Sequence, residues 1–134
     1  MLALLDTSVL ISGHARLESG YELGVASLSY AELQFGASLP DLSAEQRASR
    51  RTRILRLEDR FGPGIPFDDR AAASYGIISE AEVRAHRQVR RRIMDLLIAS
   101  IAHSNDAALI TENGADFAPL SPLLRVLTPD GRAW

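Results

Sequence analysis

Short apolar runs separated by longer amphipathic stretches set the plan of this chain. Leu2 to Leu5 is apolar; Asp6, Thr7 and Ser8 interrupt the run before Val9, Leu10 and Ile11 resume it. The pattern predicts a buried strand, a turn and a helix start, with Asp6 or Thr7 capping the helix. Gly13 to Gly20 is polar and reads as a loop. Val25 and Ala26 fall in a second short strand. Ser27 or Ser29 then caps a helix running to about Leu39, which carries Glu32 in its early part. Ser43 followed by Gln46 forms a capping box. It opens an arginine-rich helix to about Phe61 whose apolar contribution is Ile54, Leu55 and Leu57. Gly62-Pro63-Gly64 ends that helix, Ile65 to Phe67 reads as a short strand, and Asp68 or Asp69 caps a helix from about Arg70 to Ala85. His86 to Arg92 is basic and reads as loop or frayed helix.

Residues 90–117, RRRIMDLLIASIAHSNDAALITENGADF, depart from this amphipathic rhythm. Ile93, Met94, Leu96, Leu97, Ile98 and Ile101, with Ala99 and Ala102, leave little polar surface, and a helix apolar most of the way round is buried. Asp95 nevertheless sits in its first turn. The free N–H groups there favour a carboxylate, but a buried one needs a partner. Ala107 to Ile110 reads as a strand, and Thr111, Asn113 and Asp116 follow at once. Arg125 to Leu127 makes a last short strand, and Thr128 to Trp134 reads as a surface tail.

Strands alternating with helices predict an α/β fold, a short, mostly parallel central sheet of about four or five strands flanked by helices. In such sheets the site lies beyond the carboxyl ends of the strands. Asp6 ends the first strand, Glu32 follows the second, Asp116 follows the strand at 107–110, and Asp95 starts the helix feeding that strand. Four carboxylates are therefore expected to converge. Such a group repels itself unless some members are protonated or a cation sits among them. An all-oxygen donor set suits magnesium or manganese, as one ion or as two about 4 Å apart.

The whole chain, 134 residues, has the length of a single domain, 1–134. It has no cysteine, no apolar run of membrane-spanning length and no secretory leader pattern, which fits a soluble cytoplasmic protein without disulfides. All 15 basic residues are arginine. The lack of lysine argues against two other acidic pockets on parallel sheets. A receiver domain relies on a lysine in its pocket. A haloacid-dehalogenase-like phosphatase needs lysine too, and a second aspartate where Ser8 stands. No GxxxxGK phosphate loop is present.

Four segments carry a family likeness. Leu4-Leu-Asp-Thr-Ser-Val-Leu-Ile11 resembles the opening of PIN-domain ribonucleases, in particular VapC-type toxins of toxin–antitoxin (VapBC) pairs. Ser29-Tyr-Ala-Glu-Leu-Gln-Phe-Gly-Ala37, Asp95-Leu-Leu-Ile-Ala-Ser-Ile-Ala102 and Thr111-Glu-Asn-Gly-Ala-Asp-Phe117 resemble the next three motifs, in order and at fitting spacing, within a likeness running from residue 2 to about 127. The resemblance implies an endoribonuclease that uses one or two Mg2+ or Mn2+ ions and hydrolyses RNA phosphodiesters through a metal-activated water. It implies Asp6, Glu32, Asp95 and Asp116 as the catalytic and metal-holding acids. Thr111 and Asn113 fall on supporting positions and Ser8 on the hydroxyl position after the first aspartate. It implies as partners a cognate VapB-like antitoxin, a homodimer and a toxin–antitoxin hetero-oligomer, and no membrane. Residues 40–92 match only in general pattern. A PIN nuclease of RNA processing, or a non-catalytic RNA-binding or antitoxin-sequestering module on the same fold, are the alternatives.

Four acids repel a polyanion, which draws attention to Arg84, Arg87, Arg90, Arg91 and Arg92 as candidate RNA contacts at the cleft rim. The competing reading is a solvated basic face or ion pairs with Glu80 and Glu82. Arg47, Arg50, Arg51, Arg53, Arg56 and Arg60, interleaved with Glu45, Glu58 and Asp59, read as a solvated helix face. His14, His86 and His103 share no spacing and read as surface or cap residues. The tail with Trp134 and the grooves beside the first helices are the expected contact surfaces.

Overall fold

A computed structural model of the chain describes residues 1–13 and 20–134. The polar segment after Gly13, including His14, lies outside the described residues. Strand β1 (Leu2–Leu5) is followed by helix α1 (Thr7–Ser12), β2 (Glu22–Val25), α2 (Ser27–Gly36), α3 (Ala44–Phe61) and α4 (Asp69–Arg84). A short 3-10 helix (Val89–Arg92) runs into α5 (Ile93–Ser104), and β3 (Ala108–Ile110), a second 3-10 helix (Gly114–Leu120) and β4 (Val126–Leu127) complete the order.

The four strands form one parallel sheet in the order β2-β1-β3-β4. Alternate residues of a strand face opposite sides, and the two hydrophobic clusters divide accordingly. Leu4 and Leu109 belong to the face covered by α4 and α5, with Ala71, Ile78, Leu96, Ile98 and Ile101. Ala3, Leu5, Ala108 and Ile110 belong to the other, with Val9, Leu10 and Tyr30 from α1 and α2. Burial on both faces explains why these strands read as continuous apolar runs. Among the described residues no helix is long and apolar enough to cross a membrane.

Several local expectations change. Ile65 to Phe67 is not a strand: only a single parallel bridge joins Ile65 to Ala26, with Ile65 N donating to Val25 O (2.8 Å) and Ser27 N to Ile65 O (2.9 Å). Pro66 has no N–H with which to extend the pairing. The contact needs Gly64, because a Cβ there would lie 2.6 Å from the Ser27 backbone. Helix α2 starts behind Ala26 without a side-chain cap and stops at Gly36. The strand at 107–110 begins one residue later, at Ala108, and the last one at Val126. The capping box forms as expected, Gln46 N to Ser43 Oγ at 3.1 Å and Ser43 N to Gln46 Oε1 at 2.9 Å. Asp68 accepts from Ala71 N at the start of α4.

Candidate functional site

Asp6 stands at the carboxyl end of β1, in the middle of the sheet. Its N–H donates to Ile110 O (2.9 Å), so the first and third strands deliver their ends together. Its side chain is only 4% exposed. Asp6 occupies the N-cap position of α1, yet its carboxylate makes no capping bond. Instead Oδ2 accepts from Ser8 Oγ and from Thr111 Oγ1, both at 2.9 Å. Each hydroxyl is itself oriented by a backbone donor, Glu112 N on Ser8 Oγ (3.3 Å) and Asn113 N on Thr111 Oγ1 (3.1 Å). Ser8 and Thr111 thus hold Asp6. Asn113 takes part through its backbone.

Glu32, half-buried on α2, is held by Thr7, which the sequence suggested only as a helix cap. Thr7 Oγ1 donates to Glu32 Oε1 at 2.7 Å and lies 3.1 Å from the hydroxyl of fully buried Ser29. The sequence separation is 25 residues, beyond any local pattern. The Thr7-Ser8 pair therefore serves two acids at once, Glu32 and Asp6. A cavity of about 360 Å³ beside Glu32 is lined by Thr7, Ile11, Arg50, Arg53 and others.

Asp95 lies in the first turn of α5. Burial pushes its carboxyl up to about 6, and the negative charge of Asp6 adds to the rise; the Arg92 guanidinium opposes it, while Glu32 and Asp116 push the same way. Acids from three other segments thus act on the Asp95 carboxyl. Asp116 is exposed on the 3-10 helix after β3, its N–H donating to Asn113 O at 3.0 Å. Glu112, the remaining acid of that segment, is drawn away by Ser12 Oγ at 2.7 Å.

The donor set of carboxylate and hydroxyl oxygens has the chemistry of a hard divalent cation site. Among the described residues no three acids or imidazoles already form a ready cage. The four share one electrostatic neighbourhood. In that chemical sense the residues fit a divalent ion.

The basic segment divides. Glu82 is completely buried and pairs with Arg92 Nη1 at 2.7 Å and Arg87 Nε at 3.6 Å. Arg92 also stacks over the Phe117 ring, 5.2 Å from its centroid. Arg84 pairs with Glu80 on the surface at 2.6 Å. Arg90 and Arg91 are exposed, with no ion pair or hydrogen bond among the described residues. The sequence did contain a signal for Glu82: Ala71, Ser74, Ile78 and Glu82 repeat at helical spacing and form the buried stripe of α4. In α3 a solvated face was expected, but Arg47, Arg50 and Arg53 donate to backbone carbonyls at Leu39, Gly36, Leu10 and Ile11. His103 bonds Ser74 Oγ through Nδ1 at 2.8 Å, tying α5 to α4, and His86 is an exposed residue just past α4.

The family model for the PIN domain matches residues 3–120. The chain belongs to the PIN-domain family. Comparison with curated proteins returns no significant match. Solved structures are similar over nearly the full length. VapBC-5 of Mycobacterium tuberculosis, a member of the VapBC family of toxin–antitoxin systems, is 30% identical with a TM-score of 0.74, covering 95% of this chain and 96% of that one. VapBC2 of Rickettsia felis, bound to a DNA fragment from its promoter, is 21% identical with a TM-score of 0.77, covering 96% and 98%. VapBC-1 of nontypeable Haemophilus influenzae is 23% identical with a TM-score of 0.74, covering 96% and 98%. The last two likenesses speak to the fold. In this PIN domain all four expected acids are present, on the elements foreseen for them.

Proposed function

We propose that this PIN domain is a divalent-metal-dependent endoribonuclease acting in the cytoplasm as the toxin of a toxin–antitoxin pair. The observation that carries the reading is the hydroxyl network at the carboxyl edge of the sheet, Ser8 and Thr111 on Asp6 and Thr7 on Glu32, with the charges of Asp6, Glu32 and Asp116 raising the carboxyl of Asp95. No single-residue structural role accounts for four acids from four segments sharing one neighbourhood. Membership of the PIN family and 30% identity with a VapBC protein support the toxin assignment.

Asp6, Asp95 and Asp116 with Glu32 would hold Mg2+ or Mn2+, one ion or two. Such an ion supplies a lowered pKa for water and compensates charge on a phosphoryl group. Ser8 and Thr111 orient Asp6, and Thr7 orients Glu32, so that lone pairs rather than protons face the ligand. Arg92 moderates the charge next to Asp95 from its pairing with Glu82. Arg90 and Arg91 offer phosphate contacts, since their donors are uncommitted; Arg84 and Arg87 would have to exchange carboxylates for phosphates to join them. The VapBC neighbours support a VapB-like antitoxin as partner, and a homodimer and the hetero-oligomer of the two are proposed with it.

Cleavage of RNA in Mn2+ or Mg2+ by the purified chain tests the reading. Asp95→Asn is expected to abolish cleavage with the fold intact by circular dichroism, and EDTA to abolish it in the wild type. Cleavage that persists in EDTA removes the metal from the mechanism. RNA that is bound but left whole in Mn2+ would favour a binding module instead. A small upstream gene for a DNA-binding antitoxin is the expected genomic neighbour, and its absence would favour an RNA-processing nuclease.

A further inference from the structure

Trp134 was expected on a surface tail, and its indole is 55% exposed, but its polar end is committed. Segment 128–134 turns back on itself at Gly131 (φ +86°), with Thr128 N donating to Arg132 O at 2.7 Å and Arg132 N to Thr128 Oγ1 at 3.0 Å. The return brings Ala133 into an antiparallel bridge with Leu127 and Trp134 N onto Val126 O at 3.2 Å. The indole Nε1 then donates to Thr111 O at 3.2 Å, and the ring lies against Gly114 so closely that a Cβ there would fall inside it. Thr111 and Gly114 bracket the segment that leads to Asp116, and the Thr111 hydroxyl is one of the two on Asp6. One side chain therefore touches both ends of the link between Asp6 and Asp116.

We propose that Trp134 is a positioning residue that clamps the Thr111–Asp116 segment, holding Asp6 and Asp116 in register across the site. The inference rests on the reading of the four acids given above. The ring fixes Gly114 by contact, and the N–H fixes the Thr111 carbonyl, so the two contributions separate in Trp134→Phe and Trp134→Ala. Gly114→Ala displaces the ring without altering Trp134.

Two measurements on the full chain test the clamp. In amide hydrogen exchange, Trp134→Ala is expected to speed exchange at Asn113 and Asp116 about tenfold, with Trp134→Phe intermediate and Gly114→Ala close to Trp134→Ala. A core truncation in α4, Ile78→Val, lowers overall stability without singling out this segment. In calorimetric titration with Mn2+, Trp134→Ala is expected to weaken affinity about tenfold or more, as loss of a supporting partner does, while Ile78→Val leaves it unchanged. Exchange at Asn113 and Asp116 that is no faster in Trp134→Ala than in Ile78→Val overturns the clamp, as does unchanged Mn2+ affinity. If Trp134→Ala fails to fold, Trp134→Phe and Gly114→Ala carry the same comparison. A wild type that binds no Mn2+ sinks the metal reading of the acids, and the exchange measurement still decides the clamp.

Discussion

Helices α3 and α5 treat charge in opposite ways. Of the 18 residues of α3, Ile54 is the one buried side chain, and its arginines reach outward to the carbonyl ends of neighbouring helices. Helix α5 has six buried residues among 12, and charge is confined to its first turn and the residue before it, Asp95 and Arg92. In α3 the guanidinium groups of Arg47, Arg50 and Arg53 replace water on carbonyls that water could also serve. At the head of α5, Arg92 neutralises a carboxylate that water cannot reach. Exposed charge is exchangeable, and buried charge is bound to its partner.

The largest difference should appear when each helix loses one arginine. Arg92→Met leaves Glu82 buried with only the longer Arg87 contact, and removing one member of a buried pair costs about 3–5 kcal/mol. Urea denaturation should show this loss, and the double variant Glu82→Met/Arg92→Met should recover most of it. A single variant as stable as wild type would break the comparison. In α3, Arg53→Ala uncaps the last turn of α1 and should cost about 1 kcal/mol. Arg51→Ala, with no partner among the described residues, should change stability by less than about 0.5 kcal/mol. Equal losses at Arg51 and Arg53 would mean that the carbonyl contacts contribute nothing.

A separate effect concerns pH. The Asp95 carboxyl is raised from 3.8 to about 6, so between those values the folded chain holds a proton that the unfolded chain has released. Stability therefore falls as pH rises through that window, and the loss is complete above it. With chelator present, Asp95→Asn should melt above the wild type at pH 7.5, and the advantage should vanish toward pH 4. An advantage that is the same at both pH values would show that the charge of Asp95 is not what strains the head of α5.

The same contrast explains what could be read from sequence. Strand ends are legible because apolar runs stop abruptly at Asp6 and Thr111, and the buried helix is legible because it lacks a polar face. Together these placed the acids on the right elements. Ser43 and Asp68 were legible because capping is a contact between near neighbours. Thr7 on Glu32, and Trp134 on Gly114, were not, because they join residues distant along the chain. Ser27 and Ser29 resembled caps by type, but packing placed Ser29 fully buried beside Thr7 instead. At Ile65 a run of suitable residues met Pro66 and yielded one bridge.

The order β2-β1-β3-β4 also has a bearing on synthesis. Asp6 leaves the ribosome early, yet the strand beside it that brings Thr111 and Asp116 is made more than a hundred residues later. A prematurely terminated translation product ending at Ser104 would hold three of the acids and could not bring the fourth to them. The proposed ribonuclease site would thus lack its full set of acids until translation of the domain is nearly finished.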